Sequence, residues 1–130
     1  MPHLHIEYSA GLADWVDIRS VCEAAHEVML ASAVFPDAGI RVRAYRADHA
    51  IVADGLPENN FMALTLSVGA GRKTEELVGA GDEIFGSVQS VLKDLLATTH
   101  FALSLEIREI NAELSWKDTP IHARLSGSLK

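Results

Sequence analysis

Pro2-His3-Leu4-His5-Ile6-Glu7-Tyr8 opens the chain as an alternating run, and the architecture of the whole chain hinges on it. Pro2, Leu4, Ile6 and Tyr8 share one face; His3, His5 and Glu7 share the other. Period-two alternation of this kind marks a strand with one face buried. Ser9-Ala10-Gly11 ends it. Proline is small enough for the initiator methionine ahead of it to be trimmed, which would leave Pro2 a free secondary amine at the start of that strand. An α-amino group titrates near about pH 7.7–8.0, well below an unperturbed lysine. Burial and nearby cations both disfavour its charged form and lower that value toward the pH at which a proton shuttle works best. Pro2 is the first candidate catalytic residue, on condition that Met1 is removed.

Downstream, Asp14 to about Ala31 reads as a helix. Ile18, Val21, Cys22, Ala25, Val28 and Met29 form its apolar stripe, with Asp14 and Asp17 at the positive end of its dipole. Phe35-Pro36-Asp37-Ala38-Gly39 is a turn. Ile40 to Ala47 is a second strand with Arg41, Arg43 and Tyr45 on one face. Residues 53–60 form a loop, preceded by a short extended piece at Ala50–Val52. The pattern then repeats. Phe61 to Val68 is a strand with Met62, Leu64, Leu66 and Val68 on one side, followed by the tight turn Gly69-Ala70-Gly71-Arg72. Thr74 caps a second helix running to about Ala97, with Leu77, Ile84, Phe85, Val88, Val91, Leu92 and Leu95 facing inward. Gly79, Gly81 and Gly86 each cost that helix about 1 kcal/mol relative to alanine, which implies close packing against a neighbour. Phe101 to Ile107 is a fourth strand. A tail from Asn111 carries Trp116, Pro120 and the apolar patch Ile121-His122-Ala123; it is expected to form an exchanged strand.

Strand–helix–strand occurs twice at nearly equal spacing, over about residues 2–47 and 61–107. This is a tandem βαβ duplication within a single domain spanning 1–130. Helix crossovers make the strands within each unit parallel. The expected fold is α+β: a four-stranded mixed sheet with two helices on one face. The other face carries Arg, His, Glu and Ser beside apolar residues, and a sheet with one bare face in so short a chain calls for an oligomer.

Composition narrows the function. The net charge is −7 over 130 residues. That excludes sequence-independent nucleic-acid binding, which needs a basic surface, and it means that an anion site needs a local cluster of arginines. A 48% hydrophobic share with only 6% aromatics implies an aliphatic core. The lone Cys22, on the apolar helix stripe, forms no intrachain disulfide and is a core residue. No apolar run approaches the roughly 20 residues that span a bilayer, and no signal peptide is visible, so the expected location is cytoplasmic. His3, His5 and Glu7 share a face but lack a further spaced ligand, so no metal site is expected. Gly69-Ala70-Gly71 lacks the Lys-Ser/Thr of a P-loop and the third glycine of a dinucleotide turn.

An N-terminal proline on a duplicated βαβ unit of this size resembles the tautomerase superfamily. Phe35-Pro36-Asp37-Ala38-Gly39-Ile40-Arg41, Ala53-Asp54-Gly55, Gly69-Ala70-Gly71-Arg72 and Ala102-Leu103-Ser104-Leu105-Glu106-Ile107, in that order, resemble the 5-carboxymethyl-2-hydroxymuconate isomerases within it. The resemblance extends from Pro2 through Ile121-His122-Ala123, and the end of the tail, 124–130, is longer than it leads one to expect. It implies a homotrimer without metal or cofactor. The implied reaction isomerises a small carboxylated 2-hydroxymuconate dienol to its conjugated keto form in homoprotocatechuate (4-hydroxyphenylacetate) catabolism. It also implies catalytic roles for Pro2, Arg41 and Arg72. Arg43, in the same strand as Arg41, and Trp116 are the further substrate-binding candidates. The same superfamily leaves open a keto–enol tautomerase, a hydratase, a dehalogenase and a non-catalytic cytokine-like trimer.

Overall fold

The structure, a computed structural model, describes residues 1–126. Four strands form one sheet in the order β2-β1-β3-β4: β1 (His3–Ser9), β2 (Arg41–Ala47), β3 (Asn60–Gly69) and β4 (Phe101–Ile110). β1 pairs parallel with β2, β3 pairs parallel with β4, and the two units join through the antiparallel β1–β3 pair. The mixed sheet is that of two βαβ units side by side.

Alternation sorts the residues as the sequence predicts. Leu4, Ile6, Met62, Leu64, Leu66 and Val68 are buried toward the helices α1 (Ile18–Ala31) and α2 (Thr74–Val91). There they meet Val21, Ala25, Met29, Leu77, Ala80, Ile84 and Val88. Burying each large aliphatic side chain stabilises the fold by about 1.5–3 kcal/mol. The opposite face of the sheet has no covering layer among the described residues. His3, His5, Arg41, Arg43 and Tyr45 lie there, and the His5 and Tyr45 rings stack with centroids 4.6 Å apart.

Several boundaries differ from the expectation. α1 begins at Ile18, not Asp14, because the Asp17 carboxylate accepts from the Arg19 backbone N–H and the Ser20 hydroxyl and so caps the helix there. Ala10–Asp14 form a 3-10 turn instead. Thr74 is the first residue of α2 rather than its cap. Lys73 is the cap, and its N–H donates to the Glu76 carboxylate. The second helix also breaks at Leu92, and a short α3 (Lys93–Leu96) follows. Residues 50–52 form no strand. Of the three glycines within α2, only Gly81 packs closely: a Cβ there would lie 3.2 Å from Ile107 Cδ1, whereas none would meet anything within 4 Å at Gly79 or Gly86.

The expected exchanged strand in the tail is corrected. A 3-10 turn at Ala112–Leu114 and an extended stretch lead to a short helix α4 (Pro120–Leu125), with Pro120 in its first turn. Pro120 suits a helix start because its missing N–H would have no partner there. α4 packs back on the Asp37–Gly39 turn of the same chain. Residues 127–130, the end of the long tail, lie outside the described residues. Among the described residues no helix is long and apolar enough to cross a membrane.

Candidate active site at the start of β1

The parallel register places Arg41 beside His3, and the antiparallel register places Ser67 on its other side. Extending both by a residue or two brings Met1-Pro2 out between the start of β2 and the end of β3. Pro2 is buried, and its carbonyl accepts from the Arg41 backbone N–H at 3.0 Å. The Asp37–Gly39 turn closes over the proline ring. A Cβ on Gly39 would sit 2.9 Å from Pro2 Cδ, closer than atoms approach, so only glycine fits. Cδ is bonded to the ring nitrogen, so this contact fixes where that nitrogen points. Met1 precedes Pro2 in the structure, and in this form the Pro2 nitrogen is an amide.

Two arginines reach this point from different elements. Arg41, at the start of β2, donates from Nη1 to the Ala38 carbonyl at 2.8 Å and to the Ile40 carbonyl at 3.3 Å. Arg72 follows β3 through a turn in which Gly71 adopts a φ of 106°, a left-handed value that favours glycine. Its Nε donates to the Val34 carbonyl and its Nη1 to the Gly69 carbonyl, both at 3.1 Å. Both guanidinium groups are thus held by neutral carbonyls. Among the described residues the ion pairs are Arg19–Glu23, Arg46–Asp48 and Arg108–Glu106, all exposed, so Arg41 and Arg72 keep their charges uncompensated. Arg72 Nη2 and Arg41 Nε and Nη2 remain to donate to an incoming acceptor.

The field at this point is visible on the chain terminus. The Met1 amino group is held below its usual range by burial first, then by the Lys117 charge, the Arg72 charge, a hydrogen-bonding contact from the Lys117 side chain, and the Arg41 charge. Lys117 has no motif around it that singles it out in the sequence. It arrives on the stretch between β4 and α4, and it lines a cavity of ≈ 260 Å³ with Met1, Pro36, Ala38, Gly39, Thr119 and His122.

The remaining two candidates lie further off. Arg43 Nη1 donates to His3 Nδ1 at 3.1 Å, which places the His3 proton on Nε2 when the ring is neutral. Burial, then Arg43 and Arg41, then the chain terminus lower the His3 pKa and favour that neutral ring. Arg43 and Arg41 also line a neighbouring cavity of ≈ 470 Å³ beside α1, with Arg19, Cys22, Glu23 and His26. Burial raises the Cys22 thiol pKa, which fits a packing residue and not a nucleophile. Trp116 is 86% exposed and does not line the cavity beside Met1 and Gly39.

A duplicated βαβ sheet with a proline walled in at the start of its first strand is the architecture of the tautomerase superfamily. Similarity to known proteins makes the class specific. A family model for 5-carboxymethyl-2-hydroxymuconate isomerase matches residues 2–125. The 5-carboxymethyl-2-hydroxymuconate Delta-isomerase of Escherichia coli is 32% identical over 123 residues, covering 95% of this chain and 98% of that protein. The crystal structure of a 5-carboxymethyl-2-hydroxymuconate isomerase from Deinococcus radiodurans R1 matches with a TM-score of 0.89 at 36% identity, over 95% of this chain and 93% of that one. A fused 4-OT symmetric trimer matches with a TM-score of 0.62 at 16% identity, over 89% of this chain and 93% of that one, a likeness of fold alone. The chain belongs to the 5-carboxymethyl-2-hydroxymuconate isomerase family, and so to the isomerases.

Proposed function

We propose that the chain, freed of Met1, isomerises a carboxylated 2-hydroxymuconate dienol of the 5-carboxymethyl type to its conjugated keto form, with the Pro2 amine as the proton carrier. The observation that carries this reading is the pair of uncompensated guanidinium groups beside a buried proline, on a chain whose net charge is −7. Arginines without carboxylates on an acidic protein are positioned for an anion from outside.

The neutral amine takes the proton of the 2-hydroxyl group, and the same nitrogen returns a proton to C5, so that the diene shifts and the ketone forms. Negative charge develops on the 2-oxygen and its neighbouring carboxylate during the transfer. Arg41, fixed at Nη1 by two carbonyls, offers its other N–H groups to that charge. Arg72 offers Nη2 to a second carboxylate and draws electron density along the diene. The same cations keep the amine neutral near physiological pH. Arg43 enters one step removed, by hydrogen-bonding the ring of His3, the residue after Pro2, and Trp116 as an aromatic face at the rim. The bare sheet face, with its ring-stacked His5 and Tyr45, supports assembly into a homotrimer; the fused 4-OT structure of like fold is a symmetric trimer. We place the protein in the cytoplasm.

The test is ultraviolet-monitored turnover of 5-carboxymethyl-2-hydroxymuconate by protein whose intact mass shows Met1 to be absent. Turnover with a kcat/KM well above that for a plain enol acid such as enolic phenylpyruvate supports the reading. Turnover of the enol acid alone overturns it.

A further inference from the structure

The tail has a place in this site that neither the family match nor the motif residues assign. α4 docks on the Asp37–Gly39 turn, the same turn that walls in Pro2. Docking α4 there draws the preceding stretch across the start of β1, and Lys117 comes to line the cavity there with Met1, Gly39, Thr119 and His122. No acidic side chain lines that cavity, and among the described residues Lys117 forms no ion pair.

Resting on the function proposed above, we propose that Lys117 is a specificity residue: its ammonium group takes the carboxylate of the substrate's 5-carboxymethyl arm. The substrate carries three carboxylates, and three cations, Arg41, Arg72 and Lys117, act on the chain terminus next to the proline. Two of them, Arg41 and Arg72, are tied down by backbone carbonyls and suit the rigid, conjugated ends of the diene. Lys117 is exposed, and its contact is with the chain terminus rather than with a backbone carbonyl. A mobile point charge on a four-carbon stem suits the carboxylate that hangs from a saturated, rotatable carbon. A substrate lacking that arm has nothing for Lys117 to hold. Lys117 also lowers the pKa of the Met1 amino group, and once Met1 is removed the same charge would bear on the Pro2 amine that becomes the terminus.

The experiment compares 5-carboxymethyl-2-hydroxymuconate with 2-hydroxymuconate, which lacks the arm, on the native protein and on Lys117→Met and Lys117→Arg, at a pH above the acid limb of activity. Lys117 is exposed, so neither substitution removes core packing. The expected result is that Lys117→Met raises KM for the armed substrate about tenfold, equivalent to about 1.4 kcal/mol. Its kcat/KM for the unarmed substrate stays within about twofold, and Lys117→Arg recovers most of the loss. In Lys117→Met the acid limb of kcat/KM also moves to higher pH, because removing a cation raises the amine pKa; in Lys117→Arg it stays. Equal losses on both substrates, or no loss on either, overturn the proposal. If the native protein turns over neither substrate, the failure lies in the proposed function itself and takes this inference with it.

Discussion

At the start of β1 the chain presents Arg41, Arg72 and Lys117, none of them in an ion pair among the described residues. At the start of β3, the equivalent place in the second βαβ unit, the polar groups serve one another. There the Asn59 amide donates to the Val52 carbonyl at 3.0 Å and to the Asp54 carboxylate at 2.6 Å. Its oxygen lies 3.1 Å from His100 Nδ1, so that nitrogen is the donor. The Ser9 hydroxyl donates to the Asn60 side-chain oxygen at 2.7 Å and accepts from the Phe61 N–H at 3.0 Å. That mouth also has a cavity, of ≈ 310 Å³, lined by Asp54, Asn59, Asn60 and His100. The two units share a topology, and the antiparallel β1–β3 pairing sends their mouths to opposite ends of the sheet. What separates them is whether the polar groups are satisfied internally. A closed network contributes stability; cations bonded only to backbone carbonyls keep their charge, which the proposed function assigns to a ligand.

Substitutions at the two mouths should therefore act in opposite ways. The largest effect is expected from Arg41→Ala, which on the proposed mechanism removes a donor to the developing charge. Its kcat/KM should fall by about 10²–10³, with Arg41→Lys restoring only part because a point charge replaces the fork. Steady-state assays check this, and unfolding midpoints should barely move, since the guanidinium is half-exposed and bonds only to loop carbonyls. Gly39→Ala comes next. Its Cβ has no room beside Pro2 Cδ, so we expect a stability loss of about 1–3 kcal/mol together with lower kcat, read from denaturant unfolding and turnover on the same sample. The smallest effect on activity belongs to the far mouth. Asn59→Ala should cost about 1 kcal/mol of stability and leave kcat/KM within experimental scatter. A large activity loss there would mean that the two mouths are not functionally distinct.

The sheet and its buried face were legible in the sequence because alternation is a local signal: Leu4, Ile6, Leu64 and Leu66 could be placed from their neighbours alone. The start of α1 was less so, since Asp14 and Asp17 both suit a helix start and only the bonds to Arg19 and Ser20 decide for Asp17. The glycines of α2 look alike in sequence, yet one touches β4 and two touch nothing, a distinction set by which residue faces the sheet. At the site, Arg41 could be placed on a strand face by its spacing, but not its turn back to the Ala38 carbonyl. Arg72 came only from the family resemblance. Lys117 carried no signal, because its position depends on α4 docking on a turn about eighty residues earlier in the chain. Proline at the head of a strand with apolar Leu4 and Ile6 was visible; what surrounds it was a matter of tertiary contact.

Everything proposed for this site turns on the Pro2 nitrogen, neutral and ringed by cations, carrying the proton. The direct measurement is kcat/KM across pH for two preparations separated by intact mass, one with Met1 removed and one with Met1 retained. The processed protein should be active, with an acid limb below the ordinary α-amino range of about 7.7–8.0. The sign is set by the cations: they lower the amine pKa, and the base is available at every pH above it. With Met1 retained the nitrogen is an amide, and activity should fall by about 10²–10⁴. Equal activity in the two preparations would contradict a proton-carrying role for Pro2.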